Sequence, residues 1–312
     1  MRFGYRIFVA GFGLVMGAPL SIGQESTYPD VKDARLRQLV NDLANRAPLY
    51  RVQKNLRQDD VNRKVPGTGW TPLSFAVAHS NLAAAMMLLK MGADPKVPIG
   101  KGKTLLMLAA RYGDDNMARV LIRAGVNVNV RDNLGFSAFT YAALQDRYPY
   151  HDGYSGVIEE LLNQHATSTP VERAYALNLL PVKYNWGIKY SEDSKGNLIK
   201  HAVFNDPNLV HIRKIMAKLF AMGVDFNHGI KAKNGFDYER EDGSFGINRT
   251  GHPIVFAVRS GDLAMLKMAI HYTPGWKKMV DDPYAKPESL TKLAEDYNNF
   301  HIARYLRKQG VK

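Results

Sequence analysis

The sequence predicts an all-α solenoid, a linear stack of helix pairs joined by short hairpin or loop fingers. Three observations lead to this fold class. Similar segments recur at a spacing of 33 residues, apolar residues between them follow helical spacing, and no linker rich in Pro, Gly or Ser separates a second domain. A fixed period of this length indicates repeats that bury their apolar faces against one another.

The repeat is clearest in three consecutive segments that begin at Gly69, Gly102 and Gly135 without a gap. Each places a hydroxyl residue two positions after the glycine, where its side chain can cap a short helix. The aligned columns are Thr71, Thr104 and Ser137, then Leu73, Leu106 and Phe139, then Ala76, Ala109 and Ala142.

The stretch GWTPLSFAVAHSNLAAAMMLLKMGADP nearly completes the pattern G-x-T-P-L-x-x-A, turn, apolar helix and G-A-D, and it resembles the ankyrin repeat. The resemblance implies an ankyrin-repeat solenoid that binds a protein without catalysis. It also accounts for GKGKT at 100–104, which ends like a phosphate-binding loop. That loop needs a glycine where Val97 stands, so Lys103 is interpreted as an ordinary variable repeat position.

The first helix pair is predicted within residues 31–62, with helices from Val31 to Ala47 and from Leu49 to Leu56. Its many charges suit an N-terminal cap, because the outer side of a terminal repeat faces water. Well-matched repeats are predicted to follow at 66–98, 99–131 and 132–166.

Beyond residue 166 the pattern loosens into divergent repeats at 167–285 and a C-terminal cap at 286–312. Ala174 to Leu180 is predicted to be an extra or distorted helix. His201-Ala202-Val203 and a helix from Leu209 to Met222 are interpreted as further repeat markers. Seven helix pairs then account for most of the chain.

Residues 1–23 have the layout of a secretory signal peptide, with Arg2 and Arg6 before an apolar run and small residues up to Gly23. Cleavage after Gly23 would leave 24–312 as a single domain with no stable membrane anchor; a retained anchor is the alternative. The chain contains no cysteine for a lipid anchor or a disulfide. A stacked core that replaces disulfides indicates the bacterial periplasm.

Residue types exclude several kinds of chemistry. The nine histidines lack close metal-ligand spacing, the acidic runs at 192–194 and 239–243 lack the calcium-loop series, and GYSG and GSFG lack the nucleophile-elbow order. No catalytic, metal or cofactor residue is therefore predicted. An enzyme using His151 and Asp152 remains an alternative. Basic residues are scattered rather than clustered, so nucleic acid is not an expected partner.

Three insertions interrupt the repeats and are the predicted partner-binding sites, because function concentrates where a solenoid departs from its period. They are DRYPYHD at 146–152, a segment at about 183–197, and a longer segment at 228–251. Their aromatic and basic residues are of types enriched at binding hot spots. Alternatively, these loops fold back and seal gaps between poorly matched repeats. The candidates are Tyr148, Tyr150, Tyr154, Trp186, Tyr190, Lys231, Lys233, Phe236, Tyr238, Arg240, Phe245 and Arg249.

The formal net charge of +13 favours an acidic partner or an anionic surface. The leading hypothesis is a periplasmic immunity or inhibitor protein that occludes a toxin or hydrolase acting on the cell envelope, as a monomer or a 1:1 complex. The alternative is a basic periplasmic scaffold or stress protein that binds anionic envelope components.

Replacing Phe236, Tyr238 and Phe245 together with alanine should weaken the complex with the partner while the array stays folded, because buried aromatics dominate interface energies. Affinity measurement beside circular dichroism tests this. Unchanged affinity with an intact fold would show that the third insertion is not the contact.

Overall fold

The computed structural model describes residues 33–66, 68–144, 153–183, 188–192, 198–202, 207–226, 252–278 and 289–311. These residues form seven consecutive helix pairs and one antiparallel hairpin, which confirms the predicted helical solenoid. The pairs are α1 Ala34–Ala44 and α2 Leu49–Asn55, α3 Pro72–Ala78 and α4 Leu82–Lys90, α5 Leu105–Tyr112 and α6 Asp115–Arg123, α7 Ala138–Ala143 and α8 Gly153–Asn163, α9 Pro170–Lys183 and α10 Pro207–Ala221, α11 Pro253–Ser260 and α12 Leu263–His271, and α13 Leu290–Asp296 and α14 Phe300–Lys308.

The helix pairs stack in two layers. Each first helix contacts the first helix of the next pair from α1 to α13, and the second helices do the same from α2 to α12. The first helices form the inner layer: residues 72–77 and 105–110 are all buried. The second helices bury one side, as α6 does with Met117, Ala118 and Leu121. Their other side is the outer face of the array.

The hydroxyl column caps the first helices as predicted. The backbone N–H groups of Ser74, Met107 and Thr140 donate to the side-chain oxygens three residues before them, at 3.3, 3.2 and 3.2 Å. Those oxygens belong to Thr71, Thr104 and Ser137. The first helices of the last three pairs are capped in the same way by Thr169, His252 and Ser289. Each cap satisfies a backbone donor that the helix itself leaves unpaired.

Side chains at the start of several second helices join successive pairs. The Nδ2 group of Asn81 donates to the carbonyl oxygen of Leu43 at 3.3 Å. Asn299 donates in the same way to the carbonyls of Val258 and Arg259, at 2.8 and 2.7 Å. These bonds satisfy carbonyl groups at the end of the preceding first helix, so repeat spacing is fixed by hydrogen bonds as well as by packing.

A buried carboxylate organises the N-terminal pair. Asp60 is 2% exposed and forms ion pairs with Arg35 and Arg63. Burial alone would raise the pKa of Asp60, but the hydrogen bonds from Arg35 and Arg63 outweigh burial and the pKa is lowered. Arg35 also donates to the carbonyl oxygen of Asn55 at 2.7 Å, which links α1 to the end of α2.

The divergent region differs from the predicted pattern in two respects, the helix α9 and a hairpin. α9 is a regular helix that packs against α7 and α11, so Ala174 to Leu180 belongs to the first helix of the fifth pair. Between α9 and α10, strands β1 (Ile188–Glu192) and β2 (Leu198–Ala202) pair antiparallel. His201 and Ala202 lie in β2, so their interpretation as a helical repeat marker is wrong. Three residues are too few to separate helical from strand periodicity.

Asp60→Asn should lower the free energy of unfolding by roughly 1.5–3 kcal/mol at pH 7, because charged hydrogen bonds in a buried site are lost. The lowered pKa means that this contribution is present above the unfolded pKa of about 3.9 and is lost as pH falls through the lower folded value. Urea unfolding at pH 7 and at acid pH tests both points. Asp59→Asn is the control, since Asp59 is exposed; equal effects of the two changes would contradict the role of Asp60.

Candidate protein-binding surface

A column of variable residues stands immediately before the capped first helices of the three regular repeats. Its members are Trp70, Lys103 and Phe136, one position before the capping residue in each case. Trp70 and Lys103 are half-buried, and Phe136 is buried. The position holds a different residue type in each repeat; Phe136 belongs to the hydrophobic core, and Trp70 packs against that core.

Aromatic rings surround this column. The ring of Trp70 lies 5.3 Å from that of Phe75, and the ring of Phe136 lies 6.1 Å from that of Tyr141 with edge-to-face geometry. The Nζ atom of Lys103 is 5.7 Å from the centre of the Tyr141 ring, within cation–π range. We call these five residues, from three successive repeats, the central strip; Trp70 and Lys103 are its half-buried members, and its other three rings are buried.

A tight finger at residues 99–103 positions Lys103. The N–H of Ile99 donates to the carbonyl of Lys103 at 2.8 Å, and Lys101 and Gly102 between them have φ values of 64° and 74°. A Cβ atom on Gly102 would lie 2.7 Å from the side-chain oxygen of Asn133. The backbone N–H of Asn133 also donates to the carbonyl of Lys101 at 3.1 Å. Glycine is therefore needed both for the left-handed conformation and for the close contact with the next finger.

Positive charge accumulates around Lys103. The pKa of Lys103 is lowered to about 8, mainly by burial, and the charges of Arg111 and Lys101 act in the same direction. Asp132 has the opposite effect on this pKa. The Asp132 carboxylate accepts hydrogen bonds from the Tyr141 hydroxyl at 2.8 Å and from two backbone N–H groups, both at 2.9 Å. Asp132 therefore stabilises the local structure of the turn before α7.

The buried carboxylate of Glu172 links α9 to α7. It is 3% exposed, accepts from the Thr140 hydroxyl and lies 3.4 Å from a guanidinium nitrogen of Arg131. It also accepts from the backbone N–H of Thr169 at 2.7 Å. These contacts hold α9 against α7 and leave no accessible carboxylate oxygen for acid–base chemistry.

Most residues predicted from the insertions cannot be compared with this surface. Tyr154 is the second residue of α8, and Tyr190 lies in β1 opposite Lys200. By chain order, the first insertion connects α7 to α8 and the second connects α9 to α10, each within its own pair. The third connects α10 to α11, which belong to successive pairs. The other candidates lie outside the described residues and stay predictions: Tyr148, Tyr150, Trp186, Lys231, Lys233, Phe236, Tyr238, Arg240, Phe245 and Arg249.

The central strip was not predicted from the sequence, because the position of Lys103 was interpreted as an ordinary variable repeat position. The column of Trp70, Lys103 and Phe136 is visible in the alignment at the period of 33. The position of the Lys103 ammonium above Tyr141 of the next repeat depends on how the repeats stack, and no spacing within one repeat encodes it.

In the described part of the chain, no group of three or more His, Cys, Asp or Glu side chains is arranged to hold a metal ion. None of the helices in that part is long and apolar enough to cross a membrane.

Comparison with known proteins agrees with the geometry. The ankyrin repeat family model matches residues 68–98 and 101–133. An ankyrin repeat-containing protein of Treponema pallidum is 39% identical over 75 residues, which is 24% of this chain and 25% of that protein. An ankyrin repeat protein of Rickettsia bellii is 36% identical over 77 residues, 23% of this chain and 45% of that protein. Human ankyrin repeat family A protein 2 is 35% identical over 75 residues, 24% of each.

These similarities cover the repeats rather than whole proteins. The matched part spans a quarter of the Treponema protein and less than half of the Rickettsia protein. The comparisons therefore identify the repeat, which indicates a protein-binding module.

The pKa of Lys103 gives a prediction about stability. Below pH 8 the lysine is charged in both states, whereas between about pH 8 and 10.5 only the unfolded chain stays protonated, so the free energy of unfolding should rise with pH across that window. Lys103→Met should remove this rise and stabilise the protein at pH 7. Urea unfolding from pH 7 to 10 measures it, with the exposed Lys90→Met on α4 as control. A Lys103→Met slope parallel to that of the parent would contradict the burial of this charge.

Proposed function

Because this chain is an ankyrin-repeat protein, we propose that it is a non-catalytic binding module, exported to the periplasm, that neutralises a toxin or hydrolase acting on the cell envelope. Neutralisation would be steric: the array covers the active-site cleft of an acidic partner and keeps substrate out. The single observation that carries the proposal is the central strip, in which half-buried Trp70 lies against the ring of Phe75 and half-buried Lys103 lies against the ring of Tyr141.

The residue types of the strip support binding of a protein. Tryptophan and arginine are enriched among the residues that dominate the energetics of protein interfaces. Trp70 of the strip is half-buried, and so is Arg111 on α5, whose charge lowers the pKa of Lys103. A stable complex buries about 800 Å² on each partner, which a few adjacent repeats can supply. Occlusion on this scale needs no reacting group in the binding module.

The sequence outside the strip supports export of the chain and an acidic partner. Residues 1–23 have the layout of an export signal, and the net charge of +13 complements an acidic partner. The similar proteins of Treponema pallidum and Rickettsia bellii place such repeats in bacteria. We propose a 1:1 complex because one strip on a single array offers one site.

Capture from periplasmic extract by the tagged chain, washed at high salt and read by mass spectrometry, tests the proposal. We expect one stoichiometric acidic protein with toxin or hydrolase character, because a desolvated aromatic interface survives salt that screens exposed charges. Retention of lipid or wall polymer alone, lost at high salt, would overturn the inhibitor role and favour a basic envelope scaffold.

A matched pair of double variants locates the interface. Trp70→Ala with Arg111→Ala should abolish capture, while Lys90→Ala with Arg123→Ala should not, since the latter residues are exposed on the second helices. The control pair removes two positive charges and the test pair removes one. Loss of capture in the test pair alone therefore reports the position of the residues rather than net charge. Equal capture by both variants would show that the strip is not the contact.

A further inference from the structure

We propose that the outer face of the last three second helices docks on a membrane surface that contains anionic phospholipid. This basic face is defined by five exposed cations on α10, α12 and α14, namely Lys214, Lys218, Lys267, Arg304 and Lys308. The inference goes beyond the proposed function, because the basic face belongs to the second helices whereas the central strip lies at the first helices. Attachment of this kind is peripheral and is reversed by salt.

The charge of these three helices has a single sign. Together α10, α12 and α14 contain seven Lys or Arg residues and no Asp or Glu. The second helices just before them differ, since α8 contains Glu159 and Glu160 without any Lys or Arg, and α6 combines Asp115 with Arg119 and Arg123. The C-terminal end of the outer layer therefore carries positive charge that its own helices do not balance.

On α10 and α14 the cations project from the exposed side of the helix. Lys214 and Lys218 are four residues apart, as are Arg304 and Lys308, so each pair lies on one side of its helix. All four side chains are exposed. The buried sides consist of Ile212, Ile215, Met216 and Leu219 on α10 and of Ile302, Ala303 and Leu306 on α14. The four cations therefore lie away from the core.

The helix α12 joins these two pairs of cations into one surface. The Nζ atom of Lys267 on α12 lies 5.6 Å from the centre of the Tyr305 ring on α14. Toward α10, the ring of Tyr272, which follows α12, stacks on the ring of Phe220 at 5.4 Å. Neighbouring helices pack about 8–10 Å apart, so the axes of α10 and α14 lie roughly 20 Å apart. Three adjacent helices thus present a broad surface rather than a groove.

The carboxylates of the adjoining elements are engaged by groups outside the basic face. These pairs are Glu159 with His211, Glu160 with Arg119, Asp262 with Arg213, Glu295 with Arg307 and Asp296 with Lys292. Lys218 donates to the neutral side-chain amide of Asn163 at 3.4 Å, which leaves its charge uncompensated. The face therefore attracts an anionic surface by charge complementarity.

Exposed apolar side chains at the ends of the same helices favour a membrane over a soluble polyanion. Met222 follows α10, Tyr272 follows α12, and Phe300, which is 61% exposed, is the first residue of α14. At a lipid surface, cations contact the headgroups while neighbouring apolar side chains enter the boundary with the acyl chains. A soluble polyanion interacts with the cations alone. The combination on this face matches a bilayer that contains acidic phospholipid.

Co-sedimentation with vesicles made of equal parts of phosphatidylcholine and phosphatidylglycerol tests the charge of the face. We expect the triple variant Lys214→Ala, Lys267→Ala, Arg304→Ala to bind on the order of a hundredfold more weakly, since each basic residue near an anionic surface contributes about fivefold. Vesicles of phosphatidylcholine alone should bind neither protein. All variants keep the complete sequence, so residues 1–23 contribute equally to each.

The matched control is the triple variant Lys54→Ala, Lys90→Ala, Arg123→Ala. It also removes two lysines and one arginine, all exposed, but from α2, α4 and α6. Its affinity should stay within about threefold of the parent, because charges farther than a Debye length of about 10 Å from the bilayer are screened at 0.1 M salt. Equal affinities of the two triple variants would overturn the basic face as the docking surface.

A second pair of variants tests the choice of a membrane. Met222→Ser with Phe300→Ser should weaken vesicle binding about tenfold, through loss of apolar area buried in the bilayer. Tyr50→Ser with Met86→Ser is the control, because both residues are exposed on α2 and α4. Dextran sulfate serves as the soluble polyanion. If it displaces the vesicles and the Met222 and Phe300 changes have no effect, the membrane is the wrong partner and a soluble polyanion is favoured.

Circular dichroism of all four variants establishes that the array is folded, as expected for changes at exposed positions. These outcomes do not depend on the capture of a periplasmic protein. Vesicle binding as expected without a captured protein would leave the basic face established and the inhibitor role refuted. Capture of a hydrolase without vesicle binding would have the opposite meaning.

Discussion

The close approach of neighbouring first helices is the constraint on which the rest of this structure depends. A pair of short helices cannot bury two apolar faces alone, so each pair must pack against the next. Ala76, Ala109 and Ala142 are fully buried at equivalent positions in the inner layer. Larger side chains there would separate the helices. The caps at the start of each first helix and the asparagine bonds between pairs then fix the repeat at that spacing.

This constraint explains why some of the structure could be predicted from the sequence. The alanine, leucine and hydroxyl columns serve the same contacts in each regular repeat, so the period of 33 predicted the solenoid and the cap at Thr71 directly. In the divergent repeats, different side chains meet the same requirement. His252 accepts at its Nδ1 atom from the N–H of Ile254, which a search for hydroxyl caps does not detect.

The candidate site was harder to predict than the fold for a related reason. The column of Trp70, Lys103 and Phe136 holds a different residue type in each repeat, so no repeated pattern identifies its role. The contacts of Lys103 with Tyr141, and the influence of Arg111 and Asp132 on it, come from tertiary packing between successive repeats. The insertions were predicted as the binding sites instead, because they interrupt the period and can be recognised in the sequence. The prediction of their aromatic residues as contacts and the assignment of the strip are independent hypotheses about where a partner binds.

The distribution of charge distinguishes the roles that these two regions can have. The third insertion, at 228–251, contains four basic and four acidic residues, so it adds nothing to the net charge of +13. Residues 68–144, which contain the regular repeats, carry eight basic residues against four acidic ones. Attraction of an acidic partner over a distance therefore arises from the array itself. Specificity at contact needs desolvated groups, and Trp70 and Lys103 are the half-buried members of the strip.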